Sequence, residues 1–253
     1  MPRGSFQGAL KRRSSGDRLE TTLTTFALLP GLLSDQSVWA PLASALPGKT
    51  LPADLTQQSS IADMAASVLS QTGDDLVVFG HSMGARVAME VARMAPGRVR
   101  ALVLANTGHD PLRPGERKRR QAKIDRGYED FAGLIAEWLP PMVAPARVTD
   151  TELMKRLTDM ALSQTPESHE RQIRALINRP DAAAYLPDIT CPILLLAAVE
   201  DAWSPVAQHR EIEGMAPNAE LQVIEGAGHF LPVERPRETV EAILGFLKKH
   251  GLV

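Results

Sequence analysis

An apolar segment that leads directly into a serine between two glycines is the feature that most restricts the fold of this chain. Residues 76–79 (Leu-Val-Val-Phe) form a continuous apolar run, which is typical of a strand buried on both faces. Residues 80–84 (Gly-His-Ser-Met-Gly) follow at once, and apolar residues then recur at helical spacing up to position 94. Reversing from strand to helix in so few residues strains the central residue and leaves no space for side chains two positions away. The sequence therefore predicts a tight strand–turn–helix unit that exposes Ser82.

The same alternation of short apolar runs and helical patterns occupies two parts of the chain. Helices are predicted at 36–46, after an N-cap at Ser60, after Gly84 and ending before Pro96, at 203–215, and from Pro236. Strands are predicted at 25–29, 50–53, 76–79, 99–105, 192–198 and 221–224. This pattern predicts an α/β fold, with a doubly wound, mostly parallel sheet of about six strands.

Between residues 106 and 190 the strand pattern stops and only helical periodicity continues. Thr165 before Pro166 is a typical helix start in this region. One predicted helical face carries Tyr128, Phe131, Leu134, Ile135 and Trp138. We therefore predict a core made of residues 21–105 and 191–253, with an all-helical lid, 106–190, inserted in it. Residues 1–20 are polar and basic and are predicted to be a disordered tail.

Composition excludes several classes of protein. The 253 residues carry a formal net charge of −2, so no global basic bias points to nucleic acid. No apolar run approaches the roughly 18 residues that a membrane span needs. Cys191 is the only cysteine, which rules out an intrachain disulfide and cysteine-rich metal sites, and no other metal-ligand spacing is present. We expect a cytoplasmic protein without a bound metal, either a monomer or a homodimer.

A short basic run, residues 117–120 (Arg-Lys-Arg-Arg), has two interpretations. It is either an anion-binding or membrane-binding patch, or one solvated face of a helix. We favour the second, because Glu116 lies four residues before Arg120 and can pair with it on a helix.

With Ser82 in this turn, the chain resembles the α/β-hydrolase family from about residue 21 to its end, apart from the helical insertion. That family places a serine, an acid and a histidine in this chain order, each after a different strand. The resemblance implies that Ser82 is the nucleophile. It implies Asp201 as the acid, because Asp201 follows the run 192–198 and precedes Pro205 by four residues. Asp110 and Glu200 are the alternative positions for the acid.

The resemblance also implies a catalytic histidine near the end of the chain. His229 follows the predicted strand 221–224 and a glycine-rich turn, and a proline-rich segment comes after it, as in the family. Five other histidines compete with it on residue type alone: His81, His109, His169, His209 and His250. The chain order Ser82, Asp201, His229 favours His229 over these five.

An oxyanion hole needs backbone N–H groups rather than particular side chains. The resemblance implies that one comes from Met83, directly after the nucleophile, and the other from Leu32, in the loop after the first strand. The family commonly has a histidine before the glycine of that loop, whereas this chain has Pro30 before Gly31. We expect the donor to remain and the loop to be held differently.

Together these features predict a serine hydrolase that cleaves a small carboxylic ester, thioester or lactone through an acyl-enzyme on Ser82, with no cofactor. One alternative is a C–C bond hydrolase of ring-cleavage diketones that uses the same triad. A second is a small-ligand receptor built on the hydrolase scaffold. We expect a mostly apolar substrate pocket. The better candidates to line it are Trp203 and Phe230, which are next to the triad residues. Trp138, Tyr128 and Phe131 are further candidates, although packing of the lid onto itself and the core is the interpretation we favour for them.

Overall fold

A single parallel sheet forms the centre of the protein. The computed structural model describes residues 24–73 and 75–253, and the tail predicted for residues 1–20 lies outside the described residues. Six strands pair in the order β2-β1-β3-β4-β5-β6, and every neighbouring pair is parallel. The strands are β1 Thr25–Leu29, β2 Lys49–Pro52, β3 Leu76–His81, β4 Val99–Ala105, β5 Ile193–Ala198 and β6 Ala219–Ile224. The predicted six-stranded α/β architecture is confirmed.

Helices follow most of the strands and pack on both faces of the sheet. None in the described parts of the chain is both long and apolar enough to traverse a bilayer. The α-helices are α1 Ala40–Ala45, α2 Ile61–Ser70, α3 Met83–Met94, α4 Glu116–Glu129, α5 Phe131–Trp138, α6 Thr151–Leu162, α7 Pro166–Ile177, α8 Val206–Met215, α9 Leu231–Glu234 and α10 Pro236–Lys249.

Both faces of the four central strands, β1, β3, β4 and β5, are buried apart from Arg100, which explains why these strands read as nearly continuous apolar runs. Successive side chains of a strand point to opposite faces. Accordingly, Phe26 and Leu28 of β1 belong to one apolar cluster, whereas Ala27 and Leu29 belong to the other. Helices cover each cluster, so the rigid sheet can hold loops in fixed positions at its carboxyl edge.

Residues 106–192, all of which are described, connect β4 to β5 and contain α4–α7 but no strand. We call this connection the helical segment. Trp138 and Leu157 of this segment share an apolar cluster with Phe79 and Val103 of the sheet. The segment is therefore packed onto the core. Thr165 caps α7, where its hydroxyl accepts the Ser168 N–H at 3.2 Å.

Two predicted helices differ from the observed ones. The predicted helix 36–46 is a 3-10 turn, Gln36–Trp39, followed by α1. The predicted helix 203–215 begins only at Val206, because the backbone N–H groups of Trp203 and Ser204 donate to the carboxylate of Asp201. These two residues therefore form a turn around that carboxylate.

Candidate active site

The turn between β3 and α3 holds Ser82 in the left-handed region, with φ 53° and ψ −111°. Such a conformation is strained for a residue other than glycine and persists only where the surroundings enforce it. The flanking glycines show how tight the turn is. A Cβ on Gly80 would lie 2.5 Å from the Ala85 nitrogen, and one on Gly84 would lie 2.5 Å from the Pro30 oxygen. The glycine spacing is therefore what allows the serine to be presented at this edge of the sheet.

The structure brings Ser82, Asp201 and His229 into one hydrogen-bonded chain. Ser82 Oγ lies 2.7 Å from His229 Nε2, and His229 Nδ1 lies 2.9 Å from Asp201 Oδ2. Burial by itself would raise the pKa of Asp201, but the adjacent His229 and several hydrogen bonds hold it well below its usual range. Because the carboxylate is ionised, Nδ1 donates to it, and in the neutral imidazole Nε2 is left to accept the Ser82 hydroxyl proton.

Asp201 has further partners that fix its orientation. Its Oδ1 accepts the backbone N–H groups of Trp203 at 2.8 Å and Ser204 at 2.9 Å. Its Oδ2 accepts the side-chain amide of Asn106, which also donates to the Gly228 carbonyl at 3.2 Å. Asn106 directly follows β4 and has a φ of 52°, a conformation that asparagine tolerates better than most residues. Asn106 is not among the site residues predicted from sequence, although an asparagine directly after a buried strand is a signal that could have indicated it.

A buried carboxylate, Glu234, organises the loop that carries the histidine. Only 3% of Glu234 is exposed. It accepts the backbone N–H groups of Gly228 at 2.9 Å, Phe230 at 3.2 Å and Ala144 at 2.9 Å. Burial raises the pKa of this carboxyl despite these donors. Glu234 therefore links the loop around His229 to the helical segment, a role that the sequence analysis did not identify.

The alternative acids do not reach the histidine. The carboxylate of Asp110 pairs with Arg113. Glu200 accepts the backbone N–H groups of the 226–227 turn at 3.2 and 3.1 Å. Neither carboxylate is a partner of His229, whereas Asp201 is.

The other histidines lie outside this chain of hydrogen bonds. His81 Nε2 donates to the His229 carbonyl oxygen at 2.7 Å, and burial together with His229 lowers the pKa of His81 to about 3. A neutral His81 thus supports the backbone beneath the base. His209 Nε2 accepts the Thr107 N–H at 3.1 Å. The remaining three are His109, His169 and His250.

Leu32 and Met83, the two residues predicted to supply oxyanion donors, both line the cavity that contains Ser82. Gly31 brings the loop after β1 close to the serine, since a Cβ there would lie 3.2 Å from Ser82 Cβ. The two backbone segments therefore meet next to Ser82.

The loop after β1 is held from the helical segment. Leu33 has a φ of 53°, and its N–H donates to Gln172 Oε1 of α7 at 3.0 Å. The Gln172 amide in turn donates to the Leu55 carbonyl at 3.3 Å. This buried glutamine anchors the loop in which Pro30 occupies the family's usual histidine position, and the sequence analysis did not single it out.

A cavity of about 370 Å³ opens beside Ser82 and His229. Three of the predicted pocket residues line it, namely Trp203, Phe230 and Trp138. Trp203 is 46% exposed, whereas Phe230 is buried and meets the Trp138 ring edge-on with 6.1 Å between ring centroids.

Tyr128 and Phe131 are not among the cavity-lining residues. Tyr128 is 50% exposed, and its hydroxyl donates to Glu170 at 2.7 Å. Phe131 packs against the ring of His169. The physical reason is a helix break at Asp130, which ends α4 and caps α5 by accepting the Gly133 N–H at 2.8 Å. The continuous helical face predicted from 128 to 138 therefore does not form.

The cavity is far more basic than the expected apolar pocket. Six cationic residues line it, against two acidic ones, Asp110 and Glu116. The cationic residues are Arg86, Arg113, Arg119, Arg120, Lys123 and Arg179. The predicted Glu116–Arg120 pair is present at 2.7 Å, while the basic run also contributes Arg119 and Arg120 to the cavity.

Metal-ligating side chains do not cluster in this site. Within residues 24–73 and 75–253, no group of three or more His, Cys, Asp or Glu residues is arranged to hold a metal ion. The titratable groups beside the cavity instead form the Ser82–His229–Asp201 chain and the basic lining.

The fold and this arrangement at the carboxyl edge of the sheet define an α/β-hydrolase. Residues 20–242 match the sequence model of the Alpha/beta hydrolase family, which covers most of the chain. The chain belongs to this family.

Its relatives include enzymes that act on different carbonyl substrates. Pimeloyl-[acyl-carrier protein] methyl ester esterase of Photobacterium profundum is 26% identical over 196 residues, 75% of this chain and 77% of that protein. A putative carbamate hydrolase, RutD, of Pseudomonas savastanoi is 29% identical over 210 residues, 78% of each chain. The structure of a thermophilic esterase from Thermogutta terrifontis superposes with a TM-score of 0.79 at 25% identity, covering 90% of each chain. The chain is thus an α/β-hydrolase enzyme with esterase-like relatives.

Proposed function

We propose that this enzyme is a serine hydrolase that cleaves a small carboxylic ester, thioester or lactone through an acyl-enzyme on Ser82. The observation that carries the proposal is the continuous hydrogen-bonded chain from Ser82 Oγ through His229 to Asp201, with contacts of 2.7 and 2.9 Å. A nucleophile, a base and a group that orients the base are the three parts of this chemistry.

In the acylation step, Ser82 Oγ attacks the substrate carbonyl carbon as its proton passes to His229 Nε2. The imidazolium that forms is stabilised by Asp201, whose lowered pKa keeps it ionised throughout. The backbone N–H groups of Leu32 and Met83 are the proposed donors to the tetrahedral oxyanion. Loss of one such donor typically lowers kcat about 100- to 1000-fold.

The first product leaves when His229 returns its proton to the leaving group. A water molecule, deprotonated by the same imidazole, then attacks the acyl carbonyl carbon. The bond to Ser82 Oγ breaks, His229 returns the proton to that oxygen, and the acid is released. No cofactor takes part in this scheme. We also propose that the helical segment acts as the lid of the site, because it contributes Trp138 and Met142 to the cavity, and the Met142 carbonyl accepts the His229 N–H at 2.7 Å.

Covalent labelling and turnover test the proposal together. A fluorophosphonate probe is expected to modify Ser82, as mapped by peptide mass spectrometry, and p-nitrophenyl esters are expected to be hydrolysed over many turnovers. Ser82→Ala should lower kcat at least about a thousandfold. Ser70→Ala, at an exposed serine of α2, is the matched control and should retain wild-type rates. Labelling at another residue, or hydrolysis that survives Ser82→Ala, would overturn the proposal.

The form of the kinetics separates the alternatives. A single slow burst without further turnover is the result that a small-ligand receptor would give. Cleavage of a coloured ring-cleavage dienoate with little activity on simple esters is the result that a C–C bond hydrolase would give. Fast multiple turnover of esters supports the esterase proposal against both.

We also propose a cytoplasmic location. Cys191 is the sole cysteine of the sequence, so the fold needs no oxidising compartment for disulfide formation. Burial raises the pKa of the Cys191 thiol to about 11, which makes it a poor nucleophile.

A further inference from the structure

The acidic side chains of the cavity are already fully engaged by part of its basic lining. Glu116 accepts from both Nη atoms of Arg179, at 2.9 and 2.8 Å, and from Arg120 at 2.7 Å. Asp110 pairs with Arg113. One carboxylate thus binds the buried guanidinium of Arg179 and the partly exposed one of Arg120, and the other carboxylate binds the exposed one of Arg113. No acidic residue of the cavity lining remains for the other cations.

Arg86 is the first cation that forms no ion pair with a carboxylate among the described residues, although the charge of Asp110 acts to raise its pKa. It lies on α3, one helical turn after Ser82, and its Nη1 donates a hydrogen bond to the Asp110 backbone carbonyl at 3.0 Å. Burial, followed by the nearby Arg179 and Arg120, lowers the pKa of Arg86 to about 9. A partly buried guanidinium beside other cations is unfavourable unless an anion completes the site.

Lys123 is a second cation of this kind, and it approaches from the helical segment. Its Nζ lies 4.7 Å from the centroid of the Trp203 ring, a cation–π contact that does not neutralise its charge. Burial, and then Arg120, lower the pKa of Lys123. Trp203 is two residues after Asp201, so Lys123 packs against the loop that carries the proposed acid of the triad.

We propose that the substrate carries a carboxylate in addition to its scissile ester, and that Arg86 and Lys123 bind this carboxylate while Ser82 attacks. The inference rests on the proposed function. A guanidinium fork matches the two oxygens of a carboxylate, and charged groups placed in a pocket fix the orientation of a ligand. The fixed distance between this anion site and Ser82 then selects which carbonyl of the substrate is presented to the nucleophile.

Matched ester pairs test the inference on the wild-type enzyme. One pair places the carboxylate in the acyl part: mono-p-nitrophenyl adipate against p-nitrophenyl methyl adipate. The other places it in the leaving group: 4-acetoxybenzoate against its methyl ester. In at least one pair, kcat/KM for the charged ester should exceed that for the neutral ester by about tenfold or more, after correction for spontaneous hydrolysis.

Variants test the assignment to these two residues. In Arg86→Gln and in Lys123→Gln, the ratio of kcat/KM between charged and neutral ester should fall by about tenfold. Arg117→Gln removes an exposed charge from the same helix as Lys123, at a residue outside the cavity lining, and should keep the wild-type ratio. Fluorophosphonate labelling of Ser82 in each variant shows that the site is folded. If Ser82 is not labelled in Arg86→Gln, that variant is set aside. The inference is then judged on the ratio of kcat/KM between charged and neutral ester in the wild type and in Lys123→Gln.

The outcomes separate this inference from the proposal beneath it. If Ser82 is labelled and neutral esters turn over, but neither pair shows a preference for the charged ester, the inference is overturned and the serine hydrolase stands. A preference that persists unchanged in both Arg86→Gln and Lys123→Gln overturns the assignment. If Ser82 is not labelled in the wild-type enzyme, the proposed function itself fails.

Discussion

The side-chain amide of Asn106 donates a 2.9 Å hydrogen bond to Asp201 Oδ2, the same carboxylate oxygen that faces His229. Because the amide also reaches the Gly228 carbonyl, it connects the end of β4 to the loops that carry the acid and the base. A hydrogen bond to an ionised, buried carboxylate is among the stronger ones in proteins. Asn106 therefore fixes the orientation of the acid relative to the imidazole.

The first prediction concerns this amide. In Asn106→Gly we expect kcat to fall roughly tenfold with little change in KM, because a positioning contact is lost and the cavity lining is otherwise kept. Glycine adopts a φ of 52° without strain, so we expect the backbone conformation at this position to be kept. Steady-state kinetics on a neutral p-nitrophenyl ester provide the measurement. In Asn106→Asp a second carboxylate faces Asp201, so the loss of kcat should be larger. Equal kcat in the wild type and both variants would contradict the role of the amide.

Most of the fold can be predicted from sequence because each element is specified locally. The buried strand β4 is predicted to the residue, since its apolar run is bounded by turn residues at both ends. The start of α7 follows from the short-range cap that Thr165 provides. The tight turn that presents Ser82 could be predicted for the same reason, because the strand, the two glycines and the helix are all contiguous.

The features that sequence reasoning missed depend on contacts between distant residues. Asn106 and Asp201 are 95 positions apart, and Gln172 holds a loop 139 positions away. Four of the six cationic lining residues lie within positions 113–123, but Arg86 on α3 and Arg179 after α7 join them only through the tertiary fold. The incorrect pocket assignment of Tyr128 has a local cause, the cap at Asp130, which competes with the apolar periodicity that the prediction used.

The second prediction concerns the space at the nucleophile turn. A Cβ on Gly84 would lie 2.5 Å from the Pro30 carbonyl oxygen, a backbone atom that cannot rotate away. We expect Gly84→Ala to lower the free energy of unfolding by at least about 3 kcal/mol or to prevent folding. The matched control is Gly245→Ala in α10, where a Cβ would meet nothing within 4 Å. The free energy of unfolding of that variant should rise by about 0.5–1 kcal/mol. Urea unfolding of both proteins would show whether the two substitutions change stability in opposite directions.

The third prediction separates the two oxygens of Glu234. In Glu234→Gln the amide oxygen can still accept from Gly228 and Phe230, but the NH₂ group then faces the Ala144 N–H, which is also a donor. We expect a moderate loss of kcat, of about threefold to tenfold, as the helical segment loses its tie to the His229 loop. In Glu234→Ala all three N–H groups lose their acceptor, and the loss should be greater. Comparable kcat values in both variants and the wild type would show that this carboxylate does not position the base.

The last prediction is a dependence of stability on pH that Glu116 produces. Burial of Glu116 works to raise its pKa, but the hydrogen bonds from Arg179, the Arg113 backbone and Arg120 outweigh it and lower the pKa from 4.5 to about 2. The pKa of Glu116 is lower in the folded protein than in the unfolded chain. The stabilisation is therefore fully present above about pH 4.5 and disappears as the pH falls towards 2. Its size at pH 7 is on the order of 3 kcal/mol.

In Glu116→Gln the free energy of unfolding at pH 7 should therefore drop by about 3 kcal/mol, because the guanidinium groups of Arg179 and Arg120 lose their shared carboxylate. The difference between wild type and variant should shrink to about half by pH 3. Urea unfolding at several values between pH 7 and pH 3 measures this difference directly. Glu241→Gln, at an exposed position of α10, controls for the loss of one surface charge. A difference between wild type and Glu116→Gln that stays constant over this range would mean that the ionised carboxylate of Glu116 is not what holds the two arginines in the cavity wall.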